Sequence, residues 1–351
     1  MNIFKISPEL QIKLEQVLAN YPLVLIIAQT IADHGGRTLL VGGAVRDLML
    51  GLPVKDLDIE VHGITLEQLE KILRTHGAVD LVGKSFGVLR LGILDVDWAL
   101  PRSDSSGRKP HVTIDSTMAF DRAFARRDLT INAMGIDLIS HELIDPFNGA
   151  QDLRNRVLRA PDPQLFLEDP LRFFRVMQFI ARFEMYPDQK LTQVCQQMDI
   201  SAVSRERIEV EFEKIFLKSA RPSLGLRWLH DIGRLHEVLP EVAALVGVKQ
   251  SPVWHPEGDV FEHTMQAVDA GAQFNYQDPK QKLLLLYAVL CHDLGKAVAT
   301  QINGDAITSY NHEVVGVPIA KKLLKRITNN TQIIDDVCKL VRYHMAPVAF
   351  V

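Results

Sequence analysis

Two aspartates separated by one residue, Asp56 and Asp58 in the run VKDLDIEV, are the first side chains here whose types and spacing could do chemistry. At the entrance to a strand, positions i and i+2 point to one face. The two carboxylates then meet and repel unless something positive sits between them. Divalent ions held by shared carboxylates are the usual arrangement in phosphoryl transfer, and an oxygen-only ligand set suits magnesium. The competing reading is a solvated Asp-x-Asp turn. Its neighbours weigh against it, because the apolar LLV upstream runs into Gly42 and Gly43, where backbone N–H groups can approach a phosphate, and then into Arg46, a cation. A third carboxylate is expected from a nearby strand. ILDVDWAL offers Asp95 and Asp97 on one face, and Asp97 is chosen, the alternative being an edge-strand charge.

The elements that must hold these groups follow from pattern. The chain has 351 residues, 47% hydrophobic and 23% charged, enough for two or three domains with their own cores. No run approaches the roughly 18 apolar residues of a membrane span, and the N-terminus lacks the marks of a secretory signal, so no membrane partner and a cytoplasmic location are expected. Cys195, Cys291 and Cys338 have no CxxC spacing and suggest neither a disulfide frame nor a cysteine zinc site. A net charge of −4 excludes coating of nucleic acid by bulk charge and leaves only a focal contact with RNA. Short strand-like runs alternate with helical ones up to about residue 150. From about Asp162 apolar residues recur at three and four spacing, and a second helical block starts near HPEGDVFEHT. The expected domains are 1–150, 151–245 and 246–351. Within the first, PRSDSSGRKP, Pro101 to Pro110, reads as a mobile loop.

In order along the chain, GGAVRDLMLG with KDLDIEV, then RRDLTINAMGID, LIDPFNGAQDLRNRVLRA, EDPLRFFRVMQFIARF and SRERIEVEFEKI resemble the bacterial-type, class II tRNA nucleotidyltransferases, the CCA-adding enzymes, and their poly(A) polymerase relatives, over roughly residues 38 to 216. The resemblance implies an α+β multidomain chain: a polymerase-β-like nucleotidyltransferase head, then an all-α neck and body. It implies template-independent addition of C and A to the 3′ end of tRNA from CTP and ATP. Asp56 and Asp58 match the family's metal-binding carboxylates, for Mg2+, and Gly42, Gly43 and Arg46 its phosphate-gripping motif. Arg126, Arg127, Asp128 and Asn132 match a nucleotide-contacting motif in which Asp128 partners the ribose hydroxyl.

Asp169 and Arg172, three apart on an expected helix, present an acceptor beside a forked donor that can imitate the edge of a base. The resemblance implies the same base-selecting role, with Glu168 and Arg175 close by. Otherwise the pair is a helix salt bridge worth about 0.3 to 0.5 kcal/mol. Glu206, Arg207 and Glu211 are expected to buttress the neck. In the last block FEHT, CHDLGK, YNHE and RYHM supply His263, His292, Asp293, His312 and His344, and resemble the HD-domain metal-dependent phosphohydrolases. That donor set suits a divalent transition metal or Mg2+. Met345 stands where many relatives carry an acid, and the chain stops shortly after, as a shortened HD domain would. The alternatives are an A-adding or CC-adding specialist, a poly(A) polymerase, or, from another class, a 2′,3′-cyclic phosphodiesterase.

Overall fold

The first part of the chain opens with strand β1 (Ile3–Lys5) and helices α1 (Pro8–Leu18) and α2 (Pro22–Asp33). Each helix carries proline in its first turn, where the missing N–H has no partner to lose. Strand β2 (Arg37–Val41) runs into α3 (Gly43–Met49), and β3 (Leu57–His62) into α4 (Leu66–Arg74), whose start is set by a capping box between Thr65 and Gln68. There follow β4 (Val79–Leu81), β5 (Val88–Leu91), β6 (Val96–Ala99), β7 (Arg102–Asp104), β8 (Val112–Ile114), α5 (Phe120–Ala125), β9 (Gly135–Asp137) and β10 (Glu142–Ile144). Two short helices, α6 (Gly149–Asn155) and α7 (Pro163–Phe166), complete this part. The computed structural model describes residues 2–81, 87–94, 96–104 and 112–346. Within it the chain divides into two units, Met1–Asp169 and Pro170–Val351.

Eight strands form one sheet in the order β1-β10-β9-β2-β3-β6-β5-β4. Neighbours pair antiparallel except β3 with β6, which are parallel. Alternating burial separates the faces. Leu57, Ile59, Val61, Val96 and Trp98 join the main core with residues of α1 to α4, while Leu39 and Val41 turn to a smaller cluster with Phe124 and Ile144. Asp58, Glu60 and Asp97 alternate with the main-core residues, so they share the Leu39 and Val41 face. The α-helical packing on one side thus leaves the other for chemistry.

The expected loop from Pro101 is in part strand: Arg102–Asp104 pairs antiparallel with Val112–Ile114. The rest of that loop, 105–110, lies outside the described residues, as do His111 and Asp95.

The second unit is helical: α8 (Leu171–Phe183), α9 (Gln189–Gln197), α10 (Arg205–Lys218), α11 (Ser223–Asp231), α12 (Leu235–Val238), α13 (Pro240–Ala243), α14 (Val260–Ala272), α15 (Pro279–Cys291), α16 (Lys296–Ala299), α17 (His312–Ile327) and α18 (Thr331–Tyr343). Aromatic contacts tie its parts together, Phe173 of α8 to Trp228 of α11 at 5.4 Å and Phe216 of α10 to Tyr287 of α15 at 5.1 Å between ring centres. Helix α10, expected to buttress the neck through Glu206, Arg207 and Glu211, reaches toward the HD block through Glu206 and Glu209. Glu206 accepts from the Asn329 side chain at 2.9 Å, and Glu209 from the Asn329 backbone N–H at 3.2 Å and from the Thr328 hydroxyl, at the turn joining α17 and α18. Buried Glu211 pairs with Lys214 at 2.7 Å. Among the described residues no single helix is long and apolar enough to cross a membrane.

Candidate functional site

Gly42 leaves β2 with φ 71° and ψ −133°, a conformation L side chains rarely adopt. A Cβ there would lie 2.7 Å from Arg127 Nη1 and 3.8 Å from Asp58 Oδ2, so the absent side chain is what lets these groups gather at the strand end. The turn launches α3 and buries Arg46, whose Nη1 donates to Asn132 Oδ1 at 2.6 Å and whose Nε donates to Asp47 Oδ1 at 2.8 Å. Asn132 Nδ2 donates in turn to Asp128 Oδ1 at 2.9 Å, which also accepts from the Leu129 backbone N–H. The glycine-arginine motif and the RRDLTIN motif, 86 positions apart at Arg46 and Asn132, are therefore one buried polar network.

Asp56 immediately precedes β3 and Asp58 lies within it, and the parallel register sets Asp58 beside Asp97 of β6. The protein packed around Asp58 raises its carboxyl above the ordinary range; the Arg127 guanidinium opposes this, and the Asp97 and Asp56 carboxylates add to it. Like charges that already disturb one another are what a divalent cation would neutralise, so these donor types suit a metal, although an oxygen from each of Asp56, Asp58 and Asp97 is not gathered within 4.8 Å as the HD donors are. Sequence reading missed two partners. Arg90 of β5 donates to Asp97 Oδ1 from Nε at 2.8 Å and stands as its counter-ion. Buried Glu60 lies 3.4 Å from Arg127 Nη2 and 3.0 Å from His62 Nε2. Burial would raise its carboxyl, yet His62, Arg127 and Arg126 hold it below the ordinary range, so Glu60 stays charged and anchors Arg127. Arg90 stands opposite Asp97 and is visible only once the register is known, whereas Glu60, two residues after Asp58 on β3, continues the same face and could have been read from the spacing.

Asp169, Arg172 and Arg175, expected to select the base, are each half-buried, Asp169 as the last residue of the first unit and the two arginines in the second. Here one expectation is corrected. Helix α8 begins at Leu171 with Pro170 as its N-cap, so Asp169 stands in the turn before it rather than on it. Helical periodicity relates Arg172 to Arg175 but not Asp169 to Arg172. Pro170 starts the helix because its fixed φ suits the first turn. Arg175 packs its guanidinium 5.4 Å from the Phe179 ring centre.

The second unit gathers all five expected HD side chains. Asp293, nearly buried, is central: its Oδ2 lies 3.2 Å from His292 Nε2 and 3.6 Å from His263 Nε2, and its Oδ1 lies 3.2 Å from His312 Nε2 and 3.8 Å from His344 Nε2. The other nitrogen of each ring is tied down. Nδ1 of His292, His312 and His344 meets the carbonyls of Val289, Ser309 and Val341, each at 2.7 Å, and Nδ1 of His263 meets Glu257 Oε1 at 2.6 Å. A carbonyl or an ionised carboxylate can only accept, so each Nδ1 carries a proton; in the neutral ring Nε2 then offers a lone pair inward, and in the charged ring it donates to Asp293. Glu257 is ionised: burial would raise it, but its backbone hydrogen bond and those from His255 and His263 bring it down to about 2. Asp293 is likewise held far below the carboxylate range, against its burial, by hydrogen bonds from His292 and His312 and by the charge of Lys296. Inward lone pairs around a carboxylate are a fit for a metal cation. Gly295 brings α17 close enough, since a Cβ there would sit 2.0 Å from the His312 carbonyl oxygen. Glu257, Lys296 and His255 were not foreseen; Lys296 Nζ lies 2.7 Å from Asp293 Oδ2 and donates to Gln250 at 2.7 Å. An apolar cavity of about 740 Å³ between α14, α15 and α18 ends on His292 and His344, giving the cluster access.

Residues 38–159 match the family described as Poly A polymerase head domain, 191–245 that described as Probable RNA and SrmB-binding site of polymerase A, and 260–349 the HD domain. Sheet, carboxylates and matches together define a nucleotidyltransferase of the poly(A) polymerase class with an HD domain appended. Over 299 residues the chain is 36% identical to a multifunctional CCA protein of Hahella chejuensis, covering 82% of this chain and 67% of that one. A second, from Actinobacillus pleuropneumoniae, is 35% identical over 327 residues, 87% of this chain and 74% of the relative. The chain belongs to the family of the multifunctional CCA proteins, bacterial-type CCA-adding enzymes, and membership implies use of divalent metal. Its fold is that of the Thermotoga maritima CCA-adding enzyme complexed with tRNA, with TM-score 0.66 and 21% identity over 100% of this chain and 76% of that one. It is also that of a CCA-adding enzyme with ATP, with TM-score 0.64 and 22% identity over 99% and 74%.

Gly295→Ala is expected to push α17 away and lift His312 from Asp293. Calorimetric titration of the metal-stripped chain with Mn2+ should then lose at least about tenfold in affinity at the HD cluster, and an unchanged isotherm would show that the close approach is not needed.

Proposed function

We propose that this chain completes the 3′ end of tRNA by adding C and A residues from CTP and ATP without a nucleic-acid template. The observation that carries the reading is the shared face of Asp56, Asp58 and Asp97 beside the Gly42 turn, in a chain of the CCA family. The domains are then a head over 1–150, a neck and body over 151–245 and an HD domain over 246–351, in the cytoplasm.

In the head, Asp56 and Asp58, with Asp97, would hold Mg2+, which supplies charge neutralisation on the triphosphate and eases attack by the RNA 3′ hydroxyl. The backbone N–H groups at Gly42 and Gly43, with Arg46, Arg126 and Arg127, grip the phosphates. Arg127 is steered by Glu60, and Arg46 is fixed by Asn132. Asp128, its Oδ1 accepting from Asn132 and the Leu129 N–H, is held in place by this network and partners the ribose hydroxyl, a contact that distinguishes NTP from dNTP. The 3′ oxygen attacks the α-phosphorus, and pyrophosphate leaves. Asp169 and Arg172, with Arg175 nearby, read the base edge, which CTP and ATP satisfy and UTP and GTP do not.

Asp56→Ala or Asp58→Ala should abolish nucleotide addition while circular dichroism remains that of the folded chain. Incubation with tRNA lacking its 3′ end and each NTP singly, then together, resolved on a sequencing gel, checks this. The same gel separates full CCA addition from CC-only, A-only or poly(A) products.

Each donor or acceptor mismatch at the base costs about 1 to 3 kcal/mol, so two give roughly a hundredfold discrimination or more. Asp169→Ala and Arg172→Ala should lower kcat/KM for CTP and ATP and narrow their advantage over UTP and GTP. Unaltered ratios across the four nucleotides would remove both residues from base reading.

A second reading is favoured by the inward lone pairs around Asp293: a divalent transition metal or Mg2+ at the HD cluster, supporting hydrolysis of phosphate esters such as 2′,3′-cyclic phosphates. His292→Ala with Asp293→Ala should abolish hydrolysis of a nucleoside 2′,3′-cyclic phosphate and leave nucleotide addition nearly intact. Hydrolysis that survives in the double variant would assign it elsewhere.

A further inference from the structure

We propose that the helical unit binds a nucleoside monophosphate in a cavity of about 520 Å³ between α8, α10, α12 and α17, apart from both the head and the HD cluster. A cavity of that volume is ample for a mononucleotide, since small-molecule sites run from about 300 to 1,000 Å³. Its lining includes no donor of the HD cluster. Lys325 at its rim stands near the far end of α17 from His312, about 20 Å away at a rise of 1.5 Å per residue. Val203, Ile208 and Val238 come from the stretch matching the RNA-binding description, and Lys325 and Arg326 from the HD match. The two stretches therefore share this cavity.

Floor and rim ask for different things of a ligand. On the floor, half-buried Val203, Ile208 and Val238 lie over buried Phe174, Phe212 and Ile327, a surface that suits an uncharged ring and rejects a charge. The rim has four charged side chains, and two of them are already matched. Glu237 Oε2 lies 2.5 Å from Arg234 Nε, and Arg326 Nε donates to Glu241 Oε1 at 3.1 Å. The charges of Arg205 and Lys325 are left over. Arg205 Nη1 donates to Asn329 Oδ1 at 2.8 Å, a neutral amide that fixes the guanidinium without cancelling its charge, and Lys325 has no ion pair or hydrogen bond among the described residues. Two uncancelled cations match a phosphate monoester, which carries about −1.5 to −2 at pH 7. Inorganic phosphate would leave the floor bare, and an uncharged ring would leave the rim unmatched. The Ser201 hydroxyl and the Glu237 carboxylate add partners for sugar hydroxyls or a ring amino group, which a simple acyl phosphate could not use. A nucleoside monophosphate answers all three requirements.

Equilibrium dialysis of the full chain with radiolabelled AMP, in chelator so that no metal-dependent step proceeds, tests the assignment. The parent should hold AMP at least about tenfold more tightly than adenosine or inorganic phosphate, because floor and rim are both used. Arg205→Ala with Lys325→Ala, both exposed, should weaken one site per chain by at least about tenfold, and Val203→Trp, which fills the cavity, should remove that site. AMP held at the head would respond to neither change. An isotherm that is the same in parent and variants therefore overturns the proposal, as does a parent that binds no AMP or binds adenosine equally well. Binding of a short single-stranded RNA that depends on Arg205 and Lys325, without binding of AMP, would make the rim a contact for RNA backbone and overturn the small-molecule site. The exposed pair decides the matter even if the tryptophan variant fails to fold.

Discussion

The head depends on an arrangement that electrostatics opposes: carboxylates held side by side on the exposed face of a sheet. Pairing of β3 with β6 is parallel in an otherwise antiparallel order, and it is this pairing that sets Asp58 next to Asp97. The repulsion is borne by the opposite face, where Leu57, Ile59, Val61, Val96 and Trp98 are locked into the main core by the same strands. Burying such side chains contributes about 1.5 to 3 kcal/mol each, far above what two partly hydrated carboxylates cost each other. The cations nearest the aspartates are themselves anchored, Arg127 by Glu60 and Arg90 by Asp97, so positive charge is held at the site rather than gathered when a nucleotide arrives.

The helical unit meets a related problem with different chemistry. There one carboxylate is shared among four imidazoles, and every ring is oriented from behind, three by the carbonyl three residues back and one by Glu257. For His292 and His344 that carbonyl belongs to the helix they end, whereas for His312 it comes from Ser309 in the loop before α17. His263 lies on α14 but takes its orientation from a residue in the loop before that helix, and it is the ring whose direction depends on a side chain.

Much of this was legible in residue order. Alternation in RTLLV and LDIEVHG announced the strands, and the i, i+2 spacing announced that the Asp56 charge is felt at Asp58. The HD side chains could be named from motif, and all five converge. What eluded the sequence were relations carried by register and by chain ends. Arg90 opposes Asp97 because of an antiparallel pairing that no local pattern specifies. Asp169 looked helical because EDPLRFF has helical spacing, but proline marks where the helix starts, and an aspartate in front of it falls outside. The polar run after Pro101 hid a strand, since Arg-Ser-Asp has none of the usual apolar alternation.

The contacts of α10 have a consequence for how the second unit tolerates change. Its Glu206 and Glu209 close on the turn between α17 and α18, and its Phe216 meets Tyr287 of α15 edge to face. The stretch resembling an RNA-binding segment and the stretch resembling a hydrolase therefore share one interior, although family descriptions divide them. Replacing either half alone would strand acidic side chains and bare an aromatic seam, so a graft that keeps the helices of one half must also keep the surface of the other that it packs on.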